Sequence, residues 1–286
     1  MSEIQKKHRY LHQILRVQDY VFAHLDKDFC LEELSEIAHL SPYHFHRIFK
    51  GVVGEPIGAY IRRIRLDRSA LGLIYTQRGI VGIALDAGFE SHEAFTRAFK
   101  KQFGITPSLY RKDRMCLSPL YEPEGSEGKL EMEVVIEQIG EVHLAYVKHV
   151  GPYHASQVAW DTLLGDAAVA KTLGPETQAI GIAYDNPDVT DDDKIRYDAC
   201  FSVPRDFVAT VPVGTRTLAG GRYATVIHRG RYEDLEGVYR YLFSDWMASY
   251  RGDRGVGCSP CVEFYLNDPR ETAPEDLLTK ICVPLQ

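Results

Sequence analysis

Two segments in the first third of this chain are copies of each other, and what they repeat is helical. From Ser41 the chain reads SPYHFHRIFKGVVG; from Ser91 it reads SHEAFTRAFKKQFG. At an offset of 50 residues Ser41 meets Ser91, Phe45 meets Phe95, Arg47 meets Arg97, Phe49-Lys50 meets Phe99-Lys100 and Gly54 meets Gly104. The four phenylalanines read as core, and the serines as helix caps, with Pro42 at the first helical position of the first copy. Upstream the copies differ by one residue, so that Leu34-Ser35 answers Ile83-Ala84 and Ala38 answers Ala87. Each copy is thus a short helix, a turn and a basic-aromatic helix. That is what a reader of duplex DNA needs to enter the major groove, here twice.

Charge supports the same division of labour. The whole chain carries −7, which taken alone argues against nucleic acid, but residues 1–115 hold 18 Lys+Arg against 13 Asp+Glu and the remainder 15 against 27. One part attracts phosphate and the other repels it. At 286 residues the chain suits two domains. No apolar run approaches the roughly 20 residues of a membrane span, and MSEIQKKHRY lacks a signal-peptide core. The six cysteines are scattered, so a reducing cytoplasm is the expected compartment.

The periodicity predicts a first helix over about 8–25 and a second one capped by Asp28, with Leu31, Leu34 and Ala38 inward. Pro56 opens a long connecting helix with Ile57, Tyr60, Ile61, Ile64, Leu71 and Ile74 on its core face and Arg62, Arg63, Arg65 and Arg68 on the other. Ile80 to Ala87, the turn Gly88-Phe89-Glu90 and Ser91 begin the second copy, and a short helix, SLYRK, closes it. The connecting helix is expected to hold the two readers about 34 Å apart, one helical turn of DNA. LSPLYEPEGSEGK is a linker of moderate stiffness. The domain boundaries follow as 1–115, linker 116–129 and 130–286.

The second domain carries a duplication of its own. Residues 142–164 match 222–243, aligning His149-x-Gly151-x-Tyr153 with His228-x-Gly230-x-Tyr232; IGIAYDNP resembles VEFYLNDP, and FSVP (201–204) resembles ICVP (281–284). Each copy reads as strand, helix, strand, strand. Tyr197, Ala199, Phe201 and Val203 alternate as a half-buried strand should, and Leu235, Val238, Tyr239, Leu242 and Trp246 form one helical stripe. Two such halves, expected to meet along their first strands, leave a cleft on their pseudo-twofold axis.

The residues with chemistry to offer fall into two sets. Arg47 and Arg97 sit about two turns into their helices and can fork onto guanine or clamp a phosphate. Tyr43, His46, His92, Glu93 and Ala94 occupy the first turns, which reach base edges. In the second domain, alternation places Glu263 and Tyr265 on one strand face. A carboxylate among aromatics receives an organic cation. Trp160 and Tyr239, at equivalent points of the duplicated helices, are expected to wall the cleft with Tyr184 and Tyr223. Cys258-Ser-Pro-Cys261 is a lone pair and reads as structural rather than as a metal site. His44 and His46, two apart on a helix, face different ways and do not share a metal. No nucleotide-binding or hydrolase-elbow motif is present, and no cofactor or metal is expected.

The run Gly88-Phe89-Glu90-Ser91 through Gly104-Ile105-Thr106-Pro107 and Tyr110-Arg111 resembles the AraC/XylS family of transcription regulators, over about residues 8–114. The resemblance implies that Tyr43, His46, Arg47, His92, Glu93, Ala94 and Arg97 are the base-side positions. The HVGPY element, the duplicated unit and Glu263 on a late strand make residues 130–286 similar to GyrI-like effector-binding domains, in the domain order of Rob-type regulators. The fold expected is an all-α tandem helix-turn-helix domain followed by an α+β domain. The function expected is sequence-specific DNA binding under control of a small apolar or cationic effector, without catalysis. Its partners are double-stranded DNA, the effector and RNA polymerase, with no membrane. Two other readings of the second domain are a hydrolase using Glu263 as general base, and a protein-protein module.

Overall fold

The computed structural model describes residues 3–117, 132–247, 250 and 260–285. The linker 116–129 and Cys258 fall largely or wholly outside the described residues. The chain divides into two compact units, Met1–Leu120 and Tyr121–Gln286.

The first unit is all helical: α1 (Glu3–Ala23), α2 (Leu31–Ile37), α3 (Pro42–Val53), α4 (Ile57–Tyr75), α5 (Ile80–Asp86), α6 (His92–Phe103) and α7 (Pro107–Leu117). The repeat is a repeat of core packing. Phe45 lies edge-on to Phe49 at 5.6 Å and Phe49 to Tyr60 at 5.4 Å; in the second copy Phe95, Phe99 and Tyr110 repeat the chain at 5.5 and 5.2 Å. All six rings are buried, and each such pair adds about 0.5–1.5 kcal/mol beyond its area. Leu34-Ser35 and Ile83-Ala84 are buried alike, as the one-residue offset requires.

Several local expectations are corrected. The first helix begins at Glu3, and the cap of α2 is Cys30, whose Sγ accepts from Glu33 N at 3.4 Å. Asp28 is left in solvent because Phe29 must first turn in to pack on Tyr20. Ser91 caps α6 through Ala94 N, but Ser41 makes no side-chain cap bond; there Pro42, which has no N–H to satisfy, starts the helix. On α4, Leu66, Ala70 and Leu73 are buried while Leu71 and Ile74 are half-buried. Of its four arginines only Arg62 is exposed. The helix contacts α3, α5, α6 and α7, so little of its circumference is free.

The second unit contains β1 (Val135–Ile139), β2 (Val142–Val150), α8 (Gln157–Leu164), α9 (Ala167–Ala170), β3 (Ala179–Ala183), β4 (Arg196–Ser202), β5 (Gly214–Leu218), β6 (Gly221–Arg229), α10 (Leu235–Tyr241), β7 (Cys261–Tyr265) and β8 (Leu278–Pro284). The strands form one antiparallel sheet in the order β1-β6-β8-β7-β3-β4-β2-β5. The halves join through β3 and β7, with Gly181 opposite Glu263, and not through their first strands. Each half also has a short leading strand that the duplication did not reveal, and it pairs with the other half: β1 with β6, β5 with β2. These two ladders share a single register, from Val135↔Thr225 to Tyr146↔Gly214. Only Gly140-Glu141 separates β1 from β2, although the two strands lie near opposite margins of the sheet order. Three residue steps span about 10 Å at most, so the margins must come together and the sheet curls. It is consequently buried on both faces: β4 hides Asp198 and Cys200 as well as Tyr197 and Ala199, where a half-buried strand was expected.

Across the curl, Arg216 of β5 reaches over β2 to Asp198 of β4 at 2.6 Å, and Lys280 of β8 reaches over β6 to Glu137 of β1 at 2.8 Å. Arg216 lies opposite Leu144, and Glu137 opposite Tyr223; Asp198 lies opposite Lys148, and Lys280 opposite Ile227. The two ion pairs therefore occupy equivalent places with their charges exchanged. The same registers put Cys200 of β4 in the place of Cys282 of β8. The FSVP–ICVP alignment was thus two residues out of step, a slip that alternation cannot detect because it preserves the face.

Candidate functional site

On the first unit, the expected residues lie on α3 and α6, and two pairs of them, Tyr43 with Glu93 and Arg47 with Arg97, hold equivalent positions of the repeat. Tyr43, His46, Arg47, His92, Glu93 and Arg97 are exposed and Ala94 is half-buried. Tyr43, 80% exposed, lines with His46, Arg47, Lys50 and Gly51 a surface depression of about 460 Å³. Leaving an aromatic ring of that size in water has no packing benefit within the unit. His44 points the other way and meets the Tyr10 hydroxyl at 3.1 Å.

On the second unit, the face of the sheet covered by α8 and α10 gathers a carboxylate and seven aromatic residues at the β3–β7 seam. Glu263 is 7% exposed. Tyr239 donates to its Oε1 at 2.6 Å and Tyr265 to its Oε2 at 2.5 Å. Tyr197 and Tyr265 share a hydrogen bond of 2.8 Å between their hydroxyls. Trp160 of α8 stands edge-on to Tyr265 at 5.5 Å and to Phe201 at 5.6 Å; Tyr232 flanks Tyr265 and Tyr153 flanks Tyr197. Burial pushes the Glu263 carboxyl above its ordinary range, and the two tyrosine hydrogen bonds oppose that shift. Burial and then the Glu263 charge hold the Tyr239 and Tyr265 phenols well above theirs, and Tyr232 is pushed up to about 12. No cationic side chain contributes to the environment of Glu263 among the described residues. Ionising such a carboxylate costs several kcal/mol unless a cation joins it.

Gly181 makes this cluster fit. It holds on β3 the place that Glu263 holds on β7, and a Cβ there would stand 2.5 Å from the Tyr197 hydroxyl and 2.7 Å from that of Tyr265. A side chain would displace both.

The structure brings Glu263, Tyr265, Trp160 and Tyr239 together and excludes Tyr184 and Tyr223. Both lie on the opposite sheet face, because each is an odd number of residues from its strand's inward set. Tyr184 instead donates to Asp198 at 2.7 Å, beside Arg216, with Lys148 and Arg196 over its ring at 5.5 and 5.3 Å. Tyr223 lies opposite Glu137. Three residues of the cluster were overlooked: Tyr197, visible in the β4 alternation, and Tyr153 and Tyr232, which end the two His-x-Gly-x-Tyr elements. In each element the histidine Nε2 donates to a carbonyl three residues on, Pro152 O at 3.0 Å and Arg231 O at 3.2 Å, and the glycine takes φ of +139 or +143. The motif is a tight bend that delivers its tyrosine to the seam.

Residues 132–286 match the family described as GyrI-like small molecule binding domain. The chain belongs to this family. Residues 34–113 match the family described as Helix-turn-helix domain. The Right origin-binding protein of Escherichia coli (strain K12) is 51% identical over 89 residues, 31% of this chain and 31% of that protein. The Uncharacterized HTH-type transcriptional regulator YbfP of Bacillus subtilis (strain 168) is 42% identical over 93 residues, 32% of each chain. The similarity thus spans about a third of the length of these curated relatives. Among solved structures, the EcmrR C-terminal domain is 17% identical and covers 55% of this chain and 99% of that one, with a TM-score of 0.47. The AraC-type reader followed by a GyrI-like domain, expected from the residues, is the organisation found. No helix among the described residues is long and apolar enough to cross a membrane.

Proposed function

We propose that this GyrI-like protein is a sequence-specific, DNA-binding transcription regulator of the cytoplasm, and that its second domain senses a small apolar cation. RNA polymerase is the second macromolecular partner of such a regulator. The observation that carries the effector's class is Glu263: a buried carboxylate held by two tyrosine hydroxyls, walled by aromatic rings and, among the described residues, supplied with no protein cation. An organic cation gains ring-face attraction and relieves the uncompensated charge in one step. The reading that Tyr43, His46, Arg47, His92, Glu93, Ala94 and Arg97 face the bases draws its support from the exposure of all of them but the half-buried Ala94, and from the equivalence of Arg47 with Arg97 and of Tyr43 with Glu93 in the two repeated helices.

Isothermal titration with benzyltrimethylammonium and its neutral isostere neopentylbenzene tests the effector class. The cation should bind the more tightly, and Glu263→Gln should erase that preference. Equal binding of both by the wild-type protein would refute the cation reading. Selection of duplexes from a random-sequence DNA pool tests the reader; retention without sequence enrichment would refute specificity.

A further inference from the structure

The two readers differ in one respect that their repeat makes easy to isolate. Arg16 on α1 and Arg65 on α4 stand in equivalent places, each on the helix that precedes its cassette and each beneath the turn of that cassette. Arg16 serves its own cassette: its Nη2 donates to Ile37 O at 3.0 Å and meets the His39 ring nitrogen at 3.0 Å. His39 is the turn residue, with φ of +52. Gly88 is its counterpart in the second cassette, with φ of +72. Below Gly88 the Arg65 guanidinium lies so close that a Cβ on residue 88 would stand 2.5 Å from its Nη1.

Arg65 does more than its counterpart. Its Nε donates to Leu25 O at 2.9 Å and its Nη2 to Lys27 O, both in the loop that leads into the first cassette, and its guanidinium lies 5.8 Å from the Phe29 ring. One planar group is therefore clasped between the entry loop of the first reader and the turn of the second. Only 13% of the side chain is exposed, and burial lowers the guanidinium's pKa. It does not face solvent as a phosphate-binding arginine must. Its neighbour Arg63 is committed too, to Glu55 at 2.8 Å and Asp67 at 3.4 Å, and Asp67 receives Gln102 of α6 at 2.5 Å. The second recognition helix is thereby tied to the same stretch of α4.

We propose that Arg65 is the positioning residue that sets the relative pose of the two recognition helices, and hence the spacing between half-sites that this protein accepts on DNA. The fork geometry is essential: two carbonyls lie on one side and a glycine without a side chain on the other, and an ammonium group offers no such planar fork. This role presupposes the DNA-reading function proposed above, and it makes spacing, rather than affinity, the quantity that Arg65 controls.

The test uses the full chain and a duplex that the wild-type protein has itself selected from a random pool. The two contacted segments are then moved apart or together by one or two base pairs. Wild-type protein should lose about tenfold or more on each shift, the size of a lost base contact. Arg65→Met keeps the apolar stem and removes the fork; it should bind the original duplex somewhat more weakly and lose less than about threefold on the same shifts. Arg65→Lys, which keeps charge and stem, should resemble the methionine variant. Hydrogen exchange of either variant should quicken together at residues 25–28 and 86–90. A folded variant that keeps the wild-type spacing discrimination overturns the role of Arg65, as does exchange that quickens at one segment alone. A wild-type chain that enriches no duplex overturns the DNA-reading function itself, an outcome visible before any variant is made.

Discussion

Exchanging the charges of one ion pair should convert one half of the curled sheet into an imitation of the other. Asp198 is 1% exposed, and Arg216 and the Tyr184 hydroxyl both bind its Oδ2, while its Oδ1 has no hydrogen-bond partner. Arg216→Glu removes the cation bound to that carboxylate and sets a second carboxylate beside it, which should cost about 3–5 kcal/mol. For a domain of this size that lowers the melting temperature by about 6–20 °C. Adding Asp198→Lys recreates the Glu137–Lys280 pair of the other half. Recovery should be incomplete, because the new lysine lies opposite Lys148, where Lys280 lies opposite Ile227; a like-charge pair across a ladder costs about 0.2–1 kcal/mol. Lys148→Ile removes that conflict and forfeits the cation–π contacts with Tyr184 and Tyr146, about 0.5–1 kcal/mol each. The triple variant should thus stand within about 1–2 kcal/mol of wild type. Both tryptophans, Trp160 and Trp246, belong to the second unit, so intrinsic fluorescence during urea unfolding of the full chain reports on this unit. A triple variant no more stable than Arg216→Glu alone would refute the equivalence of the two pairs.

Glu263 makes the protein's stability depend on pH in a defined direction. Its folded pKa lies above the ordinary 4.5, so the folded state holds a proton that the unfolded chain releases. The contribution is complete below 4.5 and is lost as pH rises through the folded value; Glu263→Gln should flatten that limb of a urea-midpoint profile, and a profile unchanged by the substitution would count against it. Binding of a cation should release this proton, so affinity for benzyltrimethylammonium should climb with pH over the same window by at most about tenfold per unit, whereas a flat titration series would mean that Glu263 is ionised throughout. Tyr239→Phe should weaken that cation's binding and Tyr184→Phe should not, as calorimetry can establish; equal effects would return Tyr184 to the site. Arg97→Ala should cost about 1–3 kcal/mol at the selected duplex and little on random DNA, while Arg62→Ala should weaken both alike; equal losses for Arg97→Ala would make it a phosphate clamp.

What the amino acids disclosed and what they withheld follow one physical line. Repeated helices were legible because Phe45, Phe49, Phe95 and Phe99 announce a buried stripe by spacing alone. The roles of Arg63 and Arg65 were hidden, since an arginine tied to a carbonyl or carboxylate looks in sequence like an arginine in solvent. Only the fold shows that α4 has little free face. In the second unit, alternation joined Glu263 to Tyr265, which share a hydrogen bond, and the duplication pointed to Trp160 and Tyr239, which meet Tyr265 and Glu263. The same alternation could not say which sheet face Tyr184 or Tyr223 would take, because each lies on a different strand from Glu263 and the relative register of strands is a property of the assembled sheet.

The leading strands β1 and β5 escaped notice for a related reason. Their partners are in the other half, so no local pattern signals them; only the exchanged charges of Glu137 and Arg216 bear a trace, and that trace has meaning only once Lys280 and Asp198 are in place. The site itself arises where the duplication fails. Strict symmetry at the β3–β7 seam would set two carboxylates opposite each other, at positions 181 and 263, and two like charges buried side by side would be driven to share a proton. Glycine at 181 removes one charge and leaves the space that the Tyr197 and Tyr265 hydroxyls occupy. A symmetric scaffold thereby yields a single carboxylate with aromatic rings from both halves around it.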